Sequence, residues 1–191
     1  MKRPSAFTLI ELLVVISIIG ILASLAIPAV LGGISKAQMV GALSNMRQVH
    51  LICQQMSLDG TTTGDTNLAW PGSIGAYGTW AGNVAPSYVS VIDFAKIMSV
   101  AGAIANSTNV TNGNTNGVVV TKVLDSDDSS VVLLFSKNMT NSGSGWATNG
   151  PALFGNRGFV LFRKGGDGAV YQMKQGTSTN VTGVAPSGGV L

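Results

Sequence analysis

Few side chains in this sequence can do chemistry, and one of them stands in an unusual place. Glu11 is the only glutamate among 191 residues. It lies in the run FTLIELLVVISIIGILASLAIPAVL, residues 7–31, which holds no other charge. An acid at membrane depth costs about 2.5–3.5 kcal/mol at a helix centre and less near an end, so its presence there points to function. A buried carboxylate also needs a cationic partner. The remaining candidates are weaker. Cys53 and His50 are the sole cysteine and histidine, so neither an intrachain disulfide nor a Cys/His metal site of the usual ligand count can form. Asp125, Asp127 and Asp128 could offer alternating oxygens to calcium, although a solvated turn needs the same residues. Asp167 lies among glycines and reads as a turn residue. Outside the apolar run every acid is an aspartate, most of them in turn-like contexts, a poor setting for an acid/base pair. The G-x-x-x-x-G-K-[ST] and G-x-S-x-G patterns are absent. We therefore expect no enzyme, no cofactor and no catalytic residue.

The apolar run must position Glu11. From Leu12 to Leu31 there are twenty uncharged residues, enough to span a hydrocarbon core of about 30 Å at about 1.5 Å per residue. Lys2 and Arg3 precede the run and the next charge is Lys36, which keeps the N-terminal end cytoplasmic and exports the body. A cleaved secretory signal, cut after Ser24-Leu25-Ala26, and a plain signal anchor both fit the length. Neither explains Glu11. The net charge of +3 falls to +1 (9 basic, 8 acidic) without Lys2 and Arg3, and no basic stripe is interleaved with aromatics, so no nucleic-acid partner is expected.

Residues 5–31, SAFTLIELLVVISIIGILASLAIPAVL, closely resemble the N-terminus of type IV prepilins and type II secretion pseudopilins. The resemblance rests on a short leader, Phe7 as first mature residue, the T-L-I-E-L-L run and Pro28. It implies leader cleavage between Ala6 and Phe7 by a membrane prepilin peptidase, N-methylation of Phe7, and pairing of Glu11 with the Phe7 amine of a neighbouring subunit during assembly. It further implies a structural subunit stored in the inner membrane with its body exported. An ATP-driven inner-membrane platform would polymerise it with copies of itself into an extracellular or envelope-spanning filament. The family's usual glycine before the cut is Ala6 here, still small enough for processing. A membrane-anchored, exported binding domain that does not polymerise is the alternative.

The same helix should run on to Leu58. Pro28 removes a backbone donor and is expected to kink it. Met39, Ala42, Met46, Val49, Cys53 and Met56 repeat at spacings of three and four, an apolar stripe for a core. Cys53 is thus a small buried hydrophobe, and His50, beside the stripe, a partly exposed polar residue. Asp59-Gly60 is the expected stop. Residues 61–90 show no period and read as an ordered loop anchored by Trp70, Tyr77, Trp80 and Tyr88. Residues 90–101 carry the spacing of a short helix, and 105–117 form a polar, exposed loop. Residues 118–124, 131–135, 158–163 and 169–174 read as strands, the last two joined by a glycine-rich hairpin at Gly165–Gly168. The Gly/Ser/Thr-rich tail from Gly176 is expected to be loosely held. The fold class is α+β, a long N-terminal helix packed on a C-terminal antiparallel sheet of about four strands. The expected segments are 1–6 (leader), 7–34 (membrane and polymerisation helix), 35–58 (amphipathic half of that helix) and 59–191 (globular domain).

Overall fold

The computed structural model describes residues 8–113, 116–141, 146–147, 153–172, 178–179 and 191. One helix, α1 (Leu9–Thr63), opens the chain. The chain divides between Ser35 and Lys36 into two compact units, and α1 contributes to both.

In the first unit every residue from Thr8 to Leu31 is exposed. The helix is long and apolar enough to cross a membrane. It continues through Pro28. Its serines hide their hydroxyls by donating to their own helix: Ser17 to Leu13 O (2.7 Å) and Ser24 to Ile21 O (2.8 Å). That removes their need for a polar surrounding.

In the second unit all six stripe residues are buried, five of them completely. Lys36, Gln38, Arg47, Gln48, Gln54 and Gln55 stay exposed. The helix does not stop at Asp59-Gly60 as expected. It runs one turn further because the chain folds back over Gly60, where a Cβ would lie 1.7 Å from Leu68 O. Gly60 is a packing contact and the stop is Gly64, at φ +75, whose amide bonds Gly60 O.

Residues 61–90, expected as a loop, contain two short helices, α2 (Pro71–Ile74) and α3 (Tyr77–Val84). Pro71 starts α2 and Gly75, at φ +85, ends it. The third, α4 (Val91–Ile97), falls within the expected 90–101 span. Its N-cap Ser90 accepts from the Asp93 amide (3.1 Å).

The strands are β1 (Val118–Val120), β2 (Val132–Ser136), β3 (Thr140–Asn141), β4 (Trp146–Ala147), β5 (Gly158–Arg163), β6 (Gly168–Gln172) and β7 (Ser178–Thr179). The main sheet has the order β1-β2-β5-β6, antiparallel throughout. The α+β expectation, with four strands beside a long helix, is borne out. The first strand is shorter than expected because Val123 turns its carbonyl to the Gly72 amide (2.8 Å) instead of continuing the ladder. A second small sheet, β3-β4-β7, was not foreseen. Its strand β7 and Leu191, whose amide bonds Val120 O (3.0 Å), lie in the tail expected to be loose. The rest of that tail falls outside the described residues.

Side-chain alternation splits the sheet between two apolar clusters. Val118, Val120, Leu134, Val160 and Phe162 join the α1 stripe. Phe135, Phe159 and Leu161 face the other way with Met139. Close approach to α1 is built from glycine: a Cβ on Gly168 would meet Leu43 at 2.3 Å, and one on Gly158 would meet Met39 at 2.9 Å.

Candidate functional site

Glu11 sits three residues after Thr8, in the first turn of α1. Its carboxylate accepts from the Thr8 amide (2.9 Å) and the Thr8 hydroxyl (2.6 Å). The Glu11 amide in turn lies 3.4 Å from the Thr8 hydroxyl oxygen. This is a capping box, which satisfies helix-end donors with the side chains at N-cap and N3. The expectation from sequence gave Glu11 only an intermolecular partner. The T-x-x-E spacing was readable and gives it a partner within the chain. A negative charge at a helix N-terminus is further favoured by the helix dipole. Ala6 and Phe7, the expected cleavage and methylation residues, lie outside the described residues.

In the body, Cys53 is fully buried on the stripe, and burial pushes its thiol up to about 12 while a contact with Trp80 acts more weakly the other way. A thiol held protonated is a poor nucleophile. His50 corrects an expectation: it is buried, not partly exposed. Its ring centroid lies 5.3 Å from that of Phe162 and 6.0 Å from that of Trp70. Nε2 stands 2.7 Å from Lys164 O. A carbonyl only accepts, so Nε2 carries the proton.

The Asp125–Asp128 cluster is a turn in which two of the carboxylates accept from backbone amides. Asp127 Oδ2 accepts from the Leu124 amide (2.7 Å) and Asp128 Oδ1 from the Ser130 amide (2.8 Å). Those contacts at Ser130 hold the Asp128 carboxyl below the usual carboxylate range. The cation at this turn is an ammonium: Lys164 Nζ donates to Asp127 O (2.7 Å) and to Asp125 O, and lies 5.3 Å from the Trp70 ring centroid. Sequence reading missed Lys164 entirely. No group of three His, Cys, Asp or Glu side chains able to hold a metal occurs among the described residues. Asp167 is the turn residue expected, paired with Arg163 across the β5–β6 hairpin.

The 105–117 loop and the aromatic segment, read separately in the sequence, meet. Residues 106–109 are exposed as expected, but Val110 and Asn116 are buried. Tyr77 donates its hydroxyl to Val110 O (2.9 Å), and Asn116 Nδ2 donates to Val110 O (3.2 Å) and to the Tyr77 hydroxyl. Burial raises the Tyr77 hydroxyl pKa. Asn116 Oδ1 is left buried without a partner.

Residues 1–27 match the family described as "Prokaryotic N-terminal methylation motif". A type IV major fimbrial protein FimA of Dichelobacter nodosus is 40% identical over 67 residues, 35% of this chain and 43% of that protein. A probable minor fimbrial protein of the same organism is 40% identical over 63 residues, 33% of this chain and 40% of its own length. Another FimA is 37% identical over 75 residues, 38% and 47% of the two chains. The chain thus spans less than half the length of each of these relatives. No solved structure matches it.

Proposed function

We propose that this chain, whose N-terminal segment is similar to that of type IV fimbrial proteins, is a structural subunit that polymerises through the first half of α1 into a type IV pilus-like filament. One observation carries the reading. Every residue from Thr8 to Leu31 is exposed within the chain, while the second half of the same helix buries its whole stripe. An apolar surface of that extent requires lipid or protein around it. Lipid serves before assembly and the helices of other copies after it. The prepilin peptidase cuts between Ala6 and Phe7 and methylates Phe7, and an inner-membrane platform drives assembly. Glu11 then exchanges its Thr8 contacts for the Phe7 ammonium of the preceding copy, which pairs the buried charge with an opposite one. The relatives' names, fimbrial in each case, favour a surface pilus over a secretion pseudopilus. On this reading the subunit is no enzyme, and the Lys164 ammonium, bonded to the Asp125 and Asp127 carbonyls, already supplies a cation at the Asp125–Asp128 turn.

The test is the mass and N-terminus of protein sheared from cell surfaces, beside a Glu11→Ala variant. The expected chain starts at Phe7, methylated, and the variant makes no filaments. An intact Met1 terminus with nothing sheared off would mean an anchored, non-polymerising body. A terminus at Ile27 would mean a secreted domain.

A further inference from the structure

The triplet Thr-Asn-Gly occurs three times in the sequence, at residues 111–113, 115–117 and 148–150. An asparagine followed by glycine carries a reaction of its own. The glycine nitrogen can close on the asparagine Cγ, because glycine has no Cβ to obstruct the approach and has the widest choice of backbone conformations. The first two triplets have the same three residues, so a difference in their reactivity is made chiefly by the fold. The third lies outside the described residues.

The fold treats the first two in opposite ways. Asn112 ends a single 3-10 turn, Val110–Asn112, and is exposed. The Gly113 amide reaches Val110 O only at 3.4 Å, a long contact. Asn116 is 1% exposed, and its Nδ2 donates to Val110 O and to the Tyr77 hydroxyl. The Gly117 amide donates to Met98 O at 2.9 Å. The backbone there is also closely packed: a Cβ on Gly117 would lie 2.4 Å from the Val100 side chain. Ring closure at Asn116 requires breaking these bonds and opening the packed loop, whereas at Asn112 it requires releasing one weak contact. Asn112 lines a cleft of about 250 Å³ together with Tyr77, Asn116 and Lys137. Residues 105–117 hold no charged side chain. A carboxylate formed at position 112 would be the only charge in that segment, in the same cleft as the Lys137 side chain.

We propose that Asn112-Gly113 is a self-modification site, at which the folded chain converts a neutral carboxamide into a carboxylate, while the fold holds Asn116-Gly117 unreactive. The Gly113 nitrogen gives up its proton and attacks Cγ of Asn112. The N–Cγ bond forms, the Cγ–Nδ2 bond breaks, and ammonia leaves with the proton. Water then opens the resulting succinimide at either carbonyl, which yields aspartate or isoaspartate and releases a proton to solvent. No electrons are transferred, and water is the only co-reactant. The reaction therefore proceeds whether or not the chain polymerises. In a filament it would mark older subunits by an added negative charge on the body.

The test uses the full-length chain in detergent micelles, which does not require filaments. The chain is aged in mildly alkaline buffer, with and without denaturant, and samples are digested and mapped by mass spectrometry that resolves aspartate from isoaspartate. In the folded chain both products should accumulate at position 112 about tenfold or more faster than at 116, since only the second site must first open. In denaturant the two sites should react at similar rates. Asn112→Gln should abolish the products at 112, because the longer side chain would have to close a larger ring. Equal rates at 112 and 116 in the folded chain overturn the proposal. So does a folded chain in which Asn112 stays intact until denaturant is added, or a product at 112 that persists in Asn112→Gln.

Discussion

Residues 9–31 and 39–56 of α1 share one backbone conformation and are both rich in apolar side chains, yet in the first stretch no side chain is buried and in the second six stripe positions are. The difference lies in the arrangement of polar residues. In the second stretch Gln, Arg and Ser leave one face apolar, and a sheet covers it. In the first stretch apolar residues surround the axis, and no face is distinguished from another. A helix apolar all round belongs in an apolar surrounding, whereas one apolar on a single face belongs on a core. The two halves should therefore respond in opposite ways to the same substitution.

The largest effect expected on the body is that of Met46→Ala, which empties a fully buried position on the stripe. It should destabilise the body by about 2–5 kcal/mol, read from denaturant unfolding. Ile19→Ala, in the exposed half, should leave that transition unmoved. Equal effects would mean that the first half also packs on this chain's own core. Next, Gly60→Ala places a methyl 1.7 Å from Leu68 O and should cost about 1–3 kcal/mol. Gly20→Ala, where nothing lies within 4 Å, should be tolerated.

The alkaline limb of stability should also belong to the second half. The Cys53 thiol is raised from 9.0 to about 12 by burial. Folding therefore favours the protonated thiol, and that contribution is complete below pH 9 and is lost as pH rises toward 12. Cys53→Ala should flatten the pH dependence of unfolding there, and thiol reagents at neutral pH should label the unfolded chain only. The smallest effect is acidic. The Asp128 carboxyl is depressed by its Ser130 contacts, so its contribution is present above the unfolded pKa and is lost as pH falls through the folded one. Asp128→Asn should reduce the acid-side slope of stability slightly.

Much of this contrast could be read from the residues alone. The stripe at 39, 42, 46, 49, 53 and 56 was legible because six apolar residues at helical spacing have few other uses. His50 was not, although 46, 49, 50 and 53 form an i, i+3, i+4, i+7 set, because its partner is a backbone carbonyl 114 residues away. α2 and α3 escaped because helices of four and eight residues are too short to display a period. The Thr8–Glu11 box was legible but hidden behind the more conspicuous problem of an acid in an apolar run. The Tyr77–Asn116 cleft and the Lys164 clamp join segments distant in sequence, and nothing in either segment announces the other.

The serines of the first half have one further consequence. With Ser17 and Ser24 folded back on their own carbonyls, the surface from Leu12 to Leu31 is almost wholly hydrocarbon to whatever lies beside it. Acyl chains and a second helix of the same kind are then nearly equivalent solvents, because lipid tails are as apolar as leucine. If the chain polymerises as proposed, passage between them would be close to isoenergetic along most of the segment, and the direction of transfer would be decided at its first turn, where the single charge resides.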